Sequence, residues 1–331
     1  MGYISLFIIS ILISLWALTN IQNIFGVKLS LSISTFCIYA LLPYFLRFKD
    51  LLNPEYVIIN LKKIAINQII SHPTKEPEEI IKIENFIFSA FSFKDYDTFN
   101  QGLDSLSEIA CWLIIESNIS DKNQLNYSLH SILERISNIG LSTLQDPRAP
   151  FKIILCFNKI AKQALLEKND NISAIICDYL KNLGIKSTRD GKKEILDHPS
   201  IGIFNNALHI GKEATTYKME STLIQVGFLF CEIGIEAAKC NLSNIADVAS
   251  GWLDHITNYS IQKKYDLTTS GTSIWGTLIN QQARIGFETI ENGLEYPTGW
   301  VATHLCNTGI KTLYKNNEEA SNEIANILGT E

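Results

Sequence analysis

Ile210-Gly211-Lys212-Glu213-Ala214 and Ile233-Gly234-Ile235-Glu236-Ala237 are two near-copies of one pentapeptide, set 23 residues apart. A glycine inside a helix costs about 1 kcal/mol relative to alanine. Glycine met repeatedly at one register predicts close helix–helix approach, at places where a side chain would not fit. Further copies are Ile109-Ala110, Ile139-Gly140, Ile160-Ala161, Leu183-Gly184, Ile285-Gly286 and Thr308-Gly309. Successive small residues are 30, 21, 23, 27, 23, 52 and 23 positions apart, and the long step holds a degenerate copy near Ile256. Two ordinary steps come to about 50 residues, close to a helical hairpin of the HEAT or tetratricopeptide type.

From Pro77 onward almost nothing has a period of two. Helical stripes recur between polar breaks at 94–97, 117–123, 146–150, 168–171, 187–193, 241–244, 260–272, 292–297 and 315–318. Asn, Asp, Gly, Pro and Ser dominate these breaks, each favouring turns for its own local reason. The longest uninterrupted gap, Glu194 to Cys240, has room for two helices. The sequence therefore predicts an all-α body of about ten helices over 73–331. A solenoid-like stack is the first expectation and a helical bundle the alternative. Ahead of it, Asn53-Pro54-Glu55 reads as a helix start: a capping side chain, proline at the first position and an acid in the first turn. That helix, in the segment 49–72, should end before His72-Pro73. It is either a juxtamembrane helix on the bilayer surface or the first helix of the core.

No charge occurs before Lys28, and none again until Arg47. Residues 3–19 and 29–46 are each long and apolar enough to span a hydrocarbon core of about 30 Å as a helix. The short polar connection at Asn20–Lys28 allows only an antiparallel pair, so 1–48 is expected to form a two-helix transmembrane hairpin. Arg47, Lys49, Lys62 and Lys63 against the single Lys28 place the body and both termini in the cytoplasm by the positive-inside rule. A cleaved signal is the weaker expectation: a basic leading region and a small-residue cleavage site are both lacking. A buried hairpin in a soluble protein is the other alternative. With 46% apolar residues and a mean hydropathy of +0.09, the chain is too polar for a multi-span transporter.

The net charge of −6, with no basic stripe, argues against nucleic acid as a partner. The seven cysteines are scattered without Cys-x-x-Cys spacing, as small buried hydrophobes in a reducing compartment would be. No Gly-x-Ser-x-Gly elbow, phosphate-binding loop or dinucleotide fingerprint occurs. No cofactor and no catalytic activity are expected.

Three copies of the repeat read Ile-Gly-x-Glu, which places Glu213, Glu236 and Glu288 at the margin of the buried stripe. If the copies stack, these carboxylates form a ladder along one interaction groove, with His209 one turn before Glu213. Equally, they are a solvated edge whose stems cover apolar surface. The polar segment Ser187–Glu194 is expected to be a loop, either a partner-docking loop or a plain connection.

At Asp95-Tyr96-Asp97-Thr98-Phe99, followed by Leu103–Ile109, and in the Ile-Gly-x-x-Ala runs at 210–214 and 233–237, the chain resembles prokaryotic predicted membrane proteins of unknown function. These combine short N-terminal spans with a cytoplasmic helical region. The resemblance implies an architecture and a prokaryotic plasma-membrane location, and it carries no functional residue. The expectation from the sequence is a membrane-tethered cytoplasmic scaffold: lipid bilayer at residues 3–46, a protein partner on the body, and homo-oligomers allowed. The alternatives are an oligomeric two-span sensor or channel-like subunit, and an enzyme of unrecognised type.

Overall fold

The computed structural model describes residues 53–72, 77–120, 125–146, 148–190, 198–263 and 273–314. The expected hairpin at 1–48 lies outside the described residues. Eleven α-helices are the regular elements among those described. They are α1 Pro54–Ser71, α2 Glu78–Ser92, α3 Tyr96–Ser120, α4 Leu125–Ser142, α5 Ala149–Leu166 and α6 Asp170–Asp190, then α7 Pro199–Tyr217, α8 Glu220–Lys239, α9 Ser243–Lys263, α10 Ile274–Glu291 and α11 Glu295–Tyr314. α1 begins at the Asn-Pro-Glu start, with the Asn53 side chain accepting the Glu55 amide at 3.1 Å. The chain divides into two compact units between Asn60 and Leu61, and the second holds the helical body.

From α2 onward each helix packs on the next and on the next but one, and substantial contact stops there. α2, α4, α6, α8 and α10 make one layer; α3, α5, α7, α9 and α11 make the other. This is a tandem-repeat stack, with one helix pair per repeat. A bundle would instead bring together helices far apart in the chain.

The Ile-Gly pairs explain the register. Ile233 of α8 lies on Gly184 of α6, Ile256 of α9 on Gly211 of α7, and Ile285 of α10 on Gly234 of α8. A Cβ at Gly211 would come within 2.8 Å of Ile256, and one at Gly234 within 2.9 Å of Ile285. Each glycine thus receives the isoleucine of the following helix in its own layer. Ile233, beside Gly234, in turn fills Gly184, and Leu183, beside Gly184, lies against Gly140. Ile256 does the same work although Thr257 replaces the glycine after it; the Thr257 hydroxyl turns back onto the Leu253 carbonyl at 2.8 Å.

α8 sits between α6, α7, α9 and α10. Among the described helices it is the one long and apolar enough to cross a membrane, with a mean hydropathy of 1.3 and 67% of that window buried. Apolar residues on most of its circumference are what a helix with neighbours on several sides needs.

Five of the connections are one tight turn used again and again. Lys94, Lys168, Lys218, Asn241 and Gly293 all have φ between 53° and 69°. In each case the amide of the following residue reaches back to a carbonyl near the helix end, as in Asp95 to Ala90 at 2.9 Å and Met219 to Ala214 at 2.8 Å. These left-handed caps satisfy carbonyls that the helix leaves open. Ser187–Asp190, expected to be loop, is instead the last turn of α6: Thr188 is buried and hydrogen-bonds the Gly184 carbonyl at 2.8 Å.

α7 starts at His198, whose Nδ1 accepts the Ser200 amide at 3.2 Å. The ring is 4% exposed, and burial holds its pKa below the usual histidine value. The folded form therefore binds protons less readily than the unfolded chain. This contribution is complete above pH about 6.5 and is lost as pH falls below it. His198→Asn, which caps at any pH, should flatten the acid side of the stability profile between pH 7 and 5. His198→Ala should lower stability by about 1 kcal/mol at neutral pH. Urea unfolding followed by circular dichroism checks both, and an unchanged acid limb in His198→Asn would rule the cap out as its source.

Candidate functional site

Two surfaces carry polar residues in repeat register. On the even layer, ion pairs and a hydrogen bond join α2 to α4, α6 to α8 and α8 to α10. Glu84 of α2 binds Arg135 of α4. Gln225 of α8 donates to Asp178 of α6 at 3.0 Å, and Arg284 of α10 pairs with Glu232 of α8 at 3.0 Å. Arg189 of α6 grips Glu236 of α8 with two bonds of 2.6 and 3.1 Å, and Lys239 of α8 meets Glu288 of α10 at 3.9 Å. In the last two pairs, the residue five beyond one glycine reaches the residue two beyond the next. Such partly exposed pairs contribute at most about 1 kcal/mol each. Their regular spacing adds to the register set by the isoleucines.

The four residues singled out in the sequence fall on both layers. Glu236 and Glu288 lie on the even layer, each beside a basic residue of the neighbouring helix. His209 and Glu213 lie on α7, in the odd layer, one turn apart with 3.8 Å between Nε2 and Oε1.

Around His209 and Glu213 the odd layer carries a longer stripe. Two residues before the repeat position stand Glu108, Lys159, His209 and His255, on α3, α5, α7 and α9, all exposed. Two residues after it stand Trp112, Gln163, Glu213 and Tyr259, all half-buried. Contacts along the stripe join neighbouring repeats. Lys159 reaches Glu108 at 3.5 Å, the Thr216 hydroxyl lies 3.4 Å from that of Tyr259, and the Lys212 ammonium lies 5.9 Å from the Tyr259 ring centre. Glu108 also pairs with Lys62 of α1 at 2.6 Å. Burial pushes its pKa up, but the two lysines together outweigh that and hold its carboxyl below the usual range.

At the C-terminal end the stripe meets a tighter cluster. His304 of α11 places Nδ1 3.3 Å from the Asp254 carboxylate of α9, and Thr308 donates to the same carboxylate at 2.7 Å. The Trp300 ring lies 5.6 Å from the His304 ring, and Trp252 lies edge-on to His255 at 5.9 Å. Gly251 leaves the α9 backbone bare where the His304 ring approaches; its nearest neighbour would be Nε2, 4.0 Å from an added Cβ. Burial raises the pKa of Asp247 one turn earlier, partly offset by His304. Burial lowers that of His255, and the Lys212 charge lowers it further. Among the described residues no three His, Cys, Asp or Glu side chains converge as a metal ion would require.

Such a surface suits recognition. Exposed charges and imidazoles supply hydrogen bonds, and half-buried Trp and Tyr supply rigid contact area. Trp112, Gln163, His255 and Tyr259 were not singled out from the sequence, although they occupy the same two offsets as His209 and Glu213. Aligning the copies by offset rather than by residue type would have found them.

No protein-family model matches the chain, and neither does any protein of curated function. Among solved structures it is similar to a circular tandem repeat protein with novel repeat topology and enhanced subunit contact surfaces. The TM-score is 0.48 at 12% identity, over 92% of this chain and 76% of that one.

Proposed function

We propose that this protein is a membrane-tethered helical scaffold for protein–protein interaction, with the odd-layer stripe as its binding face. The observation that carries this is the stripe itself: eight polar and aromatic side chains at two fixed offsets on four consecutive odd-layer helices. A stack of helix pairs extends such a surface one repeat at a time, as recognition of an elongated partner requires. The tether is the pair of uncharged stretches at 3–19 and 29–46, with the body and both termini on the cytoplasmic side. No chemistry at the site is part of this proposal.

A photo-crosslinking residue at Gln163 or Tyr259, in the full-length chain within its native membrane, should join one and the same partner. The same residue at Glu134 or Glu220 on the even layer should not. Equal crosslinking from both layers would contradict the assignment of the face. Release of the full-length chain from membranes by an alkaline wash would contradict the tether.

A further inference from the structure

We propose that Lys212, Lys263 and Tyr259, with Thr216 and His255 beside them, form a site for a phosphate-type oxyanion on the α7–α9 seam. This deepens the assignment of the odd-layer stripe as the binding face, and it names the chemistry recognised there. Two ammonium groups converge on one phenol: Lys212 lies 5.9 Å and Lys263 5.6 Å from the Tyr259 ring centre. Among the described residues neither lysine has a carboxylate within ion-pair distance. Several other same-layer seams pair a cation with a carboxylate, as in Lys152 with Asp104 at 2.7 Å, Arg284 with Glu232, and Lys239 with Glu288. The nearby acids have partners of their own: Glu213 faces His209, and Asp254 is held by His304 and Thr308.

Each ammonium lies within cation–π range of the Tyr259 ring, and an added anion at that ring would be attracted by both charges. The Lys212 field also reaches His255, where it adds to burial in disfavouring the imidazolium. A hydrogen-bond donor stands in the same place. The Thr216 proton goes to the Lys212 carbonyl at 3.0 Å, whereas among the described residues the Tyr259 hydroxyl has the long 3.4 Å contact with Thr216 alone and can turn to a ligand. Two positive charges and an O–H around one ring match a doubly charged tetrahedral oxyanion better than a single carboxylate.

The test is titration of the full chain in detergent micelles with inorganic phosphate, at constant ionic strength set with chloride, followed by calorimetry and tyrosine fluorescence. Saturable binding is expected. Lys212→Gln and Lys263→Gln should each weaken it about tenfold, the scale of one charge-assisted hydrogen bond. Lys162→Gln, on α5 at the position equivalent to Lys212, should leave it unchanged. Circular dichroism confirms that each variant keeps its helices. Absence of saturable binding would overturn the site, and so would equal weakening by Lys162→Gln. If phosphate fails while Gln163 and Tyr259 still crosslink a partner, the binding face stands and the ligand class falls.

Discussion

Asp170→Ala will lower the stability of the body by about 2–4 kcal/mol, the combined scale of hydrogen bonds to a charged acceptor and of groups left unsatisfied. Asp170 opens α6, yet its carboxylate serves α8, one repeat later. It accepts the Ser221 amide at 2.9 Å, the Thr222 amide at 2.7 Å and the Thr222 hydroxyl at 2.6 Å. The residue in the capping place of α8 itself, Met219, makes no side-chain cap. The first turn of α8 is therefore closed by its neighbour, and a negative charge at a helix N-terminus adds to the effect. Asp170→Asn, which keeps acceptor oxygen but not charge, should fall between wild type and Asp170→Ala. Urea midpoints by circular dichroism measure all three. A loss under about 0.5 kcal/mol in Asp170→Ala, the scale of an ordinary surface change, would mean that the cap is not used.

Gly184→Ala and Gly299→Ala should move stability in opposite directions. In an open helix, alanine replaces glycine with a gain of up to about 1 kcal/mol. Gly299 on α11 has nothing within 4 Å of an added Cβ, so it should show that gain. At Gly184 the added Cβ would overlap Ile233 Cδ1 and lie 2.8 Å from Ile233 Cγ1. Turning the terminal methyl away does not relieve the second contact, because Cγ1 is fixed closer to the backbone. Overpacking of this kind costs about 1–3 kcal/mol, enough to exceed the propensity gain. The same measurement serves for both variants. Stabilisation at Gly184 would show that the seam between α6 and α8 is loose there.

Much of this architecture is legible in the sequence because it rests on local signals. Four breaks, at 94–97, 168–171, 241–244 and 292–297, contain the left-handed residues Lys94, Lys168, Asn241 and Gly293. The fifth such turn, at Lys218, lies inside the span read as two helices without a marked junction. Lysine has no turn signature of its own, and the conformation there is imposed by the cap bonds. Glycine kept for close approach was also readable, since its cost in a helix demands a reason.

What could not be read was which copies face each other. Copies about 23 residues apart alternate between layers, so Glu213 and Glu236 belong to different surfaces even though their pentapeptides are nearly identical. The stripe of Trp112, Gln163, Glu213 and Tyr259 keeps its place while changing chemistry at every step, and residue type alone hides it. The Asp170 cap joins residues about 50 apart and has no local signature. The end of α6 failed for a related reason: Ser187–Asp190 looks like a loop by composition, but Thr188 and Arg189 have partners at Gly184 and Glu236 that hold the last turn helical.

The layers, and with them the binding face, depend on one geometrical relation, seen in Ile233 on Gly184, Ile256 on Gly211 and Ile285 on Gly234: the isoleucine of one copy sits on the glycine of the copy before it in the same layer. The double-mutant cycle of Gly184→Ala and Ile233→Ala tests this directly. Ile233→Ala alone should cost about 2–5 kcal/mol through the cavity it leaves. In the double variant the new methyl at 184 enters that space, so the loss should fall short of the sum of the single losses by at least about 1 kcal/mol. Additivity within about 0.3–0.5 kcal/mol would mean that the two residues do not touch, and would contradict the stacking of alternate helices.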